Sequence, residues 1–256
     1  MPQRPAADRL RWVEWLSLPL LFALWHLIAV VVAHRLLPTP VTVAQELWHL
    51  ASQRSLLADL VITLSRAAAA FGLAMTLGIL IGAMLGRFRL PNLIFTPWLI
   101  VGLNIPAIVV AIACYIWLGL NDTALIIAVT INKTPLVAVT IREGVRALDH
   151  GFAELAAVYR MPFGRRLRLV IVPQMMPFVL TAARTGLSLI WKIVLVFEVL
   201  GSDGGVGFRV GIFFQNFDVP GILAYTISFM SVVLALEYLV MRPLEKRVLG
   251  WRPARP

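Results

Sequence analysis

Long apolar runs constrain the fold of this chain more than any other feature of its sequence. Only 14% of its residues are charged, against roughly 25% in ordinary soluble domains. No hydrophilic stretch between the runs is long enough for a second, soluble domain. Runs of about twenty apolar residues cross a bilayer as helices. We therefore predict an all-α membrane protein with six transmembrane helices, at residues 13–33, 60–86, 92–118, 123–141, 175–200 and 222–241.

The first run resembles a signal peptide in position but not in detail. It is long, and no small-residue cleavage pattern stands at His34-Arg35, so we interpret it as a retained helix. The single cysteine, Cys114, lies inside the third run, which excludes a disulfide within one chain and a cysteine metal site.

The positive charges orient these helices. Sixteen Lys and Arg residues fall in the segments on one side of the predicted membrane, whereas the other side holds only Arg35, Arg54 and Arg209. Because positive residues mark the cytoplasmic side, both termini are predicted to face the cytoplasm. The net charge of +10 then reflects inner surfaces next to anionic lipid, and nucleic acid is not indicated as a partner.

This orientation divides the chain into three parts. Residues 1–12 form a cytoplasmic tail, residues 13–241 a single transmembrane domain, and residues 242–256 a basic cytoplasmic tail. The longest inner loop covers residues 142–173.

Two features predict how the helices pack. The second run places small residues four positions apart, at Ala70, Ala74, Gly78, Gly82 and Gly86. In lipid, such a stripe lets another helix approach closely. The third run is broken at Asn104-Ile105-Pro106. Proline frees backbone groups that protein or a watered cavity must satisfy, so this break is either a simple kink or a kink that lines a pathway.

The inner loop reads as two short helices that meet at a broken corner. Its apolar stripe is spaced 3, 4, 3 and 4 residues apart, as on one face of a helix, and consists of Val145, Leu148, Phe152, Leu155 and Tyr159. Residues 161–164, Met-Pro-Phe-Gly, end this helix, and a basic helix follows. The pattern alone also fits a basic loop that lies on lipid headgroups.

This loop resembles the signature of binding-protein-dependent ATP-binding-cassette (ABC) importer permeases. That signature has Glu-Ala-Ala, a Gly six residues after the Glu, and a Leu-Pro ending. Glu154, Ala156 and Pro173 match it in residue type and spacing. The chain departs from it at Arg160, which stands in place of the Gly, and at Leu155, which replaces the middle Ala.

Further matches run along nearly the whole chain, from residue 37 to residue 251. They resemble the taurine, nitrate and alkanesulfonate permease branch, and comprise Leu37-Pro-Thr-Pro40, Ser65-Arg66, Phe71-Gly72, Ile116-Trp-Leu-Gly119, Glu198-Val-Leu-Gly201, Gly205-Val-Gly-Phe208 and the tail at 242–251.

The resemblance implies a type I ABC importer permease fold in the bacterial inner membrane. Two copies of the chain pair as a homodimer, two cytoplasmic ATPase subunits dock on their inner loops, and an extracytoplasmic solute-binding protein delivers the solute. The chain has no phosphate-binding Walker loop, so we expect no ATPase activity of its own. ATP and Mg belong to the partner. The residues implied to contact it are Phe152, Glu154, Leu155, Ala156, Tyr159, Arg160, Met161 and Gly164.

Ionisable residues inside the runs suggest what is carried. Such residues are expensive in a bilayer and usually face a protein interior or a pathway. Lys133 and Lys192 either attract an anionic solute or form structural ion pairs, for example between Lys133 and Glu198, while Arg184 extends toward the inner surface. The candidate path residues are Asn104, Pro106, Lys133, Ser188, Lys192 and Glu198.

The predicted solute is a small anion such as a sulfonate, nitrate or a related oxyanion, and a pyrimidine precursor or an aromatic carboxylate is the alternative. A secondary transporter or channel is a rival interpretation that does not need the Glu154–Pro173 corner. A membrane enzyme is disfavoured because the histidines at 26, 34, 49 and 150 lie apart without a catalytic pattern.

Overall fold

A computed structural model describes residues 6–53 and 55–249, and every regular element within them is helical. In chain order the helices are α1 (Ala6–Val32), α2 (Pro40–Ser52), α3 (Ser55–Arg87), α4 (Arg89–Asn104), α5 (Ala107–Leu118), α6 (Asp122–Arg146), α7 (His150–Val158), α8 (Phe163–Arg166), α9 (Val172–Gly201), α10 (Val206–Gln215), α11 (Val219–Leu236) and α12 (Arg242–Leu249). Two π-helical segments, Leu167–Ile171 and Glu237–Met241, join α8 to α9 and α11 to α12. Arg54 and parts of the predicted tails 1–12 and 242–256 lie outside the described residues.

Four continuous helical stretches are long and apolar enough to cross a membrane. They are Ser55–Arg87, Asp122–Arg146, Phe163–Gly201 and Val219–Val248, and the bent pair α4 and α5 brings the number to five at most within the described ranges. In α1 the described residues include a shorter apolar stretch, Pro19–Val32. The all-helical prediction is thus confirmed, while six spans and cytoplasmic termini stay predictions.

The closest helix packing joins α3 to α6 through the small-residue stripe. Ala70 and Ala74 are buried. A Cβ atom added to Gly78 would lie 2.5 Å from the Val137 side chain, and one added to Gly82 would lie 2.5 Å from the Ala138 carbonyl oxygen. Because no side chain fits at these glycines, the two backbones can touch. The predicted packing role of the stripe is confirmed.

The third predicted span is not one helix. Helices α4 and α5 meet at an angle of 95°, at the break that the sequence predicts at Asn104-Ile105-Pro106. The physical reason is local: Ile105 has ψ 124° and Pro106 has ψ 129°, which are extended values that end α4, and a residue before proline avoids the helical region. Helix α6 packs at this break, where Pro135 lies against Gly102.

Helix α9 connects the inner loop to the segment that precedes α10. It packs against α3, α5, α6 and α10. Its first residues follow the inner loop, and its last residues lead into α10, which at 10 residues and about 1.5 Å per residue is too short to span a bilayer. The helical stretch from the inner loop is continuous over Phe163–Gly201, and residues 202–205 separate it from α10.

Candidate functional site

The inner corner, which we define as residues 150–166, consists of α7, the turn after it and α8. Asp149 begins α7 by accepting a hydrogen bond from the Gly151 amide at 2.8 Å, the usual role of an N-cap carboxylate. The backbone N–H of Asp149 donates to the side-chain oxygen of Gln174 at 3.0 Å. Since Gln174 belongs to α9, this bond ties the start of α7 to that helix.

The turn after α7 has the hydrogen bonds of a Schellman motif. The N–H of Met161 donates to the Ala156 carbonyl and that of Arg160 to the Ala157 carbonyl, both at 2.9 Å. This motif needs a left-handed residue, usually Gly, after the helix. Arg160 takes that conformation with φ 47°. The departure from the family Gly therefore leaves the turn in place, and Gly164 does not replace it.

The inner corner presents apolar side chains to its surroundings. Phe152, Leu155 and Tyr159 are exposed on α7 as the sequence predicts, whereas Ala156 is buried beneath them. Glu154 and Gly164 are also exposed, and Met161 is partly buried. Sequence reasoning missed two exposed residues, Val158 at 79% and Phe163 at 75%. Their signal was available, because both are apolar residues next to a loop break.

The inner corner is also basic. Arg160, Arg165, Arg166 and Arg168 are all exposed. Within the described ranges none of them makes an ion pair, and neither does Glu154. A surface with large exposed apolar groups and unpaired cations is typical of an interaction site.

The candidate path residues fall into separate regions. Asn104 and Pro106 are exposed at the break between α4 and α5. Ser188 and Lys192 lie one turn apart on an exposed face of α9. A cleft of about 460 Å³ borders Ser188, Trp191 and Arg184 on one side and α11 on the other.

Arg184 does more than extend toward the inner surface. Its guanidinium binds Glu237 at 2.8 Å and Glu245 at 3.0 Å. These two pairs hold α9 to the π-helical segment and to α12.

Lys133 is the least expected charged residue. It is only 9% exposed, yet none of the described side chains pairs with its ammonium group. The expected Lys133–Glu198 pair is therefore wrong.

Glu198 pairs instead with Arg66, a residue of α3 that is 132 positions away. The carboxylate is 0% exposed and the guanidinium 3% exposed, and their N···O distance is 2.9 Å. The hydroxyl of Thr63 donates to both Glu198 oxygens, at 3.0 and 2.9 Å. A carboxylate enclosed in this way is held in one geometry.

The same side chains cap α10. The amides of Gly205, Val206 and Gly207 donate to Asp59 at 3.2 Å, Thr63 at 2.8 Å and Glu198 at 2.9 Å, respectively. Carboxylates at a helix N-terminus satisfy free N–H groups and complement the helix dipole. They allow a half-length helix to begin inside the bundle, where unsatisfied amides are costly. We call Asp59, Thr63, Arg66 and Glu198 the α10 anchor.

Arg66 connects this anchor to more exposed groups. It donates to the Ser202 hydroxyl at 2.9 Å and to the Gly204 carbonyl at 2.6 Å. It also pairs with Asp122 and with Asp203, whose side chain is 97% exposed. Sequence reasoning missed Asp59 and Thr63 altogether, and it noted Arg66 only as a family match, although an arginine within an apolar run needs a partner. Over the described ranges no group of three potential metal ligands occurs.

Comparison with known proteins places these features in context. The model of the family "Binding-protein-dependent transport system inner membrane component" matches residues 74–250. The putative aliphatic sulfonates transport permease protein of Bacillus subtilis is 29% identical, over 98% of this chain and 91% of its own length. The nitrate import permease protein of Synechococcus elongatus is 22% identical, over 75% of this chain and 73% of its own length.

A solved structure has a similar fold. Inward-facing conformations of the MetNI methionine ABC transporter include a chain that superposes with a TM-score of 0.65 at 15% identity, over 75% of this chain and 95% of that chain. At this identity the likeness extends to the fold only.

Proposed function

Because this chain belongs to the family of binding-protein-dependent transport system inner membrane components, and is thus a multi-pass permease subunit of an ABC importer, we propose that it moves a small anion inward with energy from a separate ATPase. Two copies pair as a homodimer with six spans each and cytoplasmic termini. Two ATPase subunits bind below, and a solute-binding protein delivers the anion from outside. ATP-driven approach of the two ATPases switches the helices between outward-open and inward-open states.

The exposed, unpaired inner corner carries this proposal. Phe152, Leu155 and Tyr159 present an apolar face on a short helix that is tied to α9 through Gln174. Such a face fits a groove on a partner protein. We assign partner contact to these residues and to Glu154 and Arg160, while Ala156 and Met161 close the turn and Gly164 lies exposed in α8.

The coupling proposal is tested with purified components in proteoliposomes. Leu155→Asp places a carboxylate in the apolar contact, so we expect ATP-driven uptake and ATPase binding to fall at least tenfold while the permease still inserts and elutes as a single species. Phe88→Asp is the matched control, because Phe88 is an exposed apolar residue at the inner end of α3, outside the inner corner. Equal uptake by Leu155→Asp and wild type would refute the assignment.

An anionic solute is supported by one observation on the chain itself. Lys133 is buried in α6 without a carboxylate partner among the described residues, so the alternative of an ion pair within the subunit has no support from these residues. Sulfonates and nitrate, after which two relatives are named, are both anions. We therefore propose that Lys133 and Lys192 attract the anion along a path past Asn104, Pro106 and Ser188. Glu198 contributes indirectly, because it holds α10.

The solute class is tested by charge-neutral variants. Lys133→Gln should lower uptake of the anion about tenfold or more without changing the amount of assembled protein, and Lys133→Arg should retain part of it. The assay compares labelled sulfonate and nitrate in vesicles that contain the ATPase and the binding protein. If Lys133→Gln and Lys192→Gln both transport as wild type does, the anion proposal is wrong while the ATPase coupling can still be judged from the Leu155→Asp result.

A further inference from the structure

Arg160 has a positive φ in the inner corner, and the turn that it forms does not need its side chain. Its φ of 47° is a conformation that glycine adopts freely and that L-residues disfavour. The two bonds that close the turn use backbone groups only, between Met161 and Ala156 and between Arg160 and Ala157. Glycine would make the same bonds with less strain. Arginine at this position therefore adds a charged side chain that the turn itself does not require.

The subunit itself offers no use for that side chain. Within the described ranges Arg160 makes no ion pair and no cation–π contact. A cation after the last turn of a helix interacts favourably with the helix dipole, but α7 has only nine residues, and any other cation nearby supplies the same effect. The side chain therefore remains available to a partner.

The surroundings of Arg160 define what that partner must offer. Tyr159 and Val158 precede it and are exposed, and Arg165, Arg166 and Arg168 add further unpaired positive charge on the α8 side. An apolar groove with carboxylates at its rim complements this surface. Arginine suits such a rim because its planar guanidinium binds a carboxylate through two parallel hydrogen bonds.

We propose that Arg160 is a specificity contact for the ATPase subunit, and that its guanidinium pairs with a carboxylate at the rim of the groove that receives α7. This inference rests on the proposed function and goes further, because it assigns a charge to the partner and a role to a departure from the family pattern. Arg160 selects an ATPase with an acidic rim over one without it, since an unpaired cation at a closed contact is unfavourable.

Three variants separate charge from backbone strain. Arg160→Gly removes both, Arg160→Ala removes the charge and keeps the strained φ, and Arg160→Lys keeps a charge without the planar group. Arg89→Ala is the control, because Arg89 is another exposed arginine that begins α4 away from the inner corner. The binding of each purified permease to the ATPase subunit that co-purifies with the wild-type chain is measured at low and at high salt.

We expect Arg160→Gly and Arg160→Ala to bind that ATPase about fivefold more weakly at low salt, with a smaller loss of affinity on adding salt than wild type shows. Arg89→Ala should bind as wild type does. In the permease alone, Arg160→Gly should melt about 2 to 4 °C higher than Arg160→Ala. Weaker binding by the more stable variant is a result that a purely structural role for Arg160 does not give.

Two outcomes overturn the inference, and they differ in what else they remove. If wild type binds the ATPase and Arg160→Gly binds it equally tightly, Arg160 is no specificity contact, and its charge serves the lipid surface or α7 instead. The proposed function survives that result. If the wild-type chain binds no ABC ATPase at all, both the proposed function and this inference are wrong.

Discussion

The α10 anchor yields the sharpest prediction about stability, through replacement of Arg66. Arg66→Met removes the guanidinium but keeps most of the apolar side-chain volume. Glu198, which is 0% exposed, then keeps only neutral donors, from Thr63 and Gly207. Removal of one partner from a buried ion pair costs about 3–5 kcal/mol. For a domain of this size that loss lowers the melting temperature by about 6 to 20 °C.

The two partners of the pair should not respond equally. Glu198→Gln keeps an acceptor at the same place, and Arg66 retains Asp122 and the Gly204 carbonyl. Its cost is that of weakened hydrogen bonds, about 1–3 kcal/mol. In the double variant Arg66→Met/Glu198→Gln no buried charge is left alone, so it should melt above Arg66→Met.

Detergent-solubilised protein is heated at one fixed rate, because the midpoint of an irreversible transition depends on the scan rate. The fraction that stays soluble is then measured by size-exclusion chromatography. Arg209→Met is the control. Arg209 also pairs with an anchor carboxylate, Asp59 at 2.9 Å, but its side chain is 41% exposed, and Asp59 keeps the Tyr225 hydroxyl. Its loss should cost about 1 kcal/mol. An Arg66→Met protein that melts within 2 °C of wild type, or a double variant no more stable than it, contradicts this reasoning.

Four further substitutions, one of them a control, test other parts of the fold. Gly205→Ala should destabilise the folded protein strongly, because φ of Gly205 is +99° and the new Cβ would lie 2.5 Å from a Glu198 oxygen. Gly72→Ala is the control, because no atom lies within 4 Å of its new Cβ. In the same melting assay it should be neutral or stabilising. Gly82→Val should abolish recovery of monodisperse protein by separating α3 from α6, and recovery at the wild-type level would show that their contact is dispensable. Arg184→Ala breaks two half-exposed ion pairs, so we expect the free energy of unfolding to fall by only about 1 kcal/mol. Proteolysis at α12 should become faster. An unchanged digestion pattern would refute a role of Arg184 in holding that helix.

The parts of the fold that the sequence predicted correctly are those set by local pattern. Apolar runs locate α3, α6, α9 and α11, because each such helix satisfies its own backbone in lipid. The four-residue spacing from Ala70 to Gly86 predicts the face that meets α6, because small side chains permit close approach. The inner corner follows from an apolar stripe that ends at a Pro-Gly break.

The parts that could not be predicted depend on contacts between distant segments. Pro106 predicts a break in the helix but not its angle of 95°, which depends on how α6 packs at the break. The Arg66–Glu198 pair joins residues 132 positions apart. Spacing within one helix does not predict such a pair, and the lysine in the neighbouring run, Lys133, is not the partner of Glu198. The left-handed turn at Arg160 was hidden because the residue type that normally marks such a turn is absent.

The central claim is that the inner corner lies inside a groove of an ATPase subunit. The chain contains one cysteine, Cys114, which is buried, so Val158→Cys supplies a single accessible thiol on α7. A photoactivatable maleimide at this position, illuminated in membranes that contain the co-expressed ATPase, should give a covalent product identified by mass spectrometry as permease joined to ATPase. If position 158 cross-links only to lipid, and reacts with a water-soluble maleimide equally fast with and without the ATPase, the claim is contradicted.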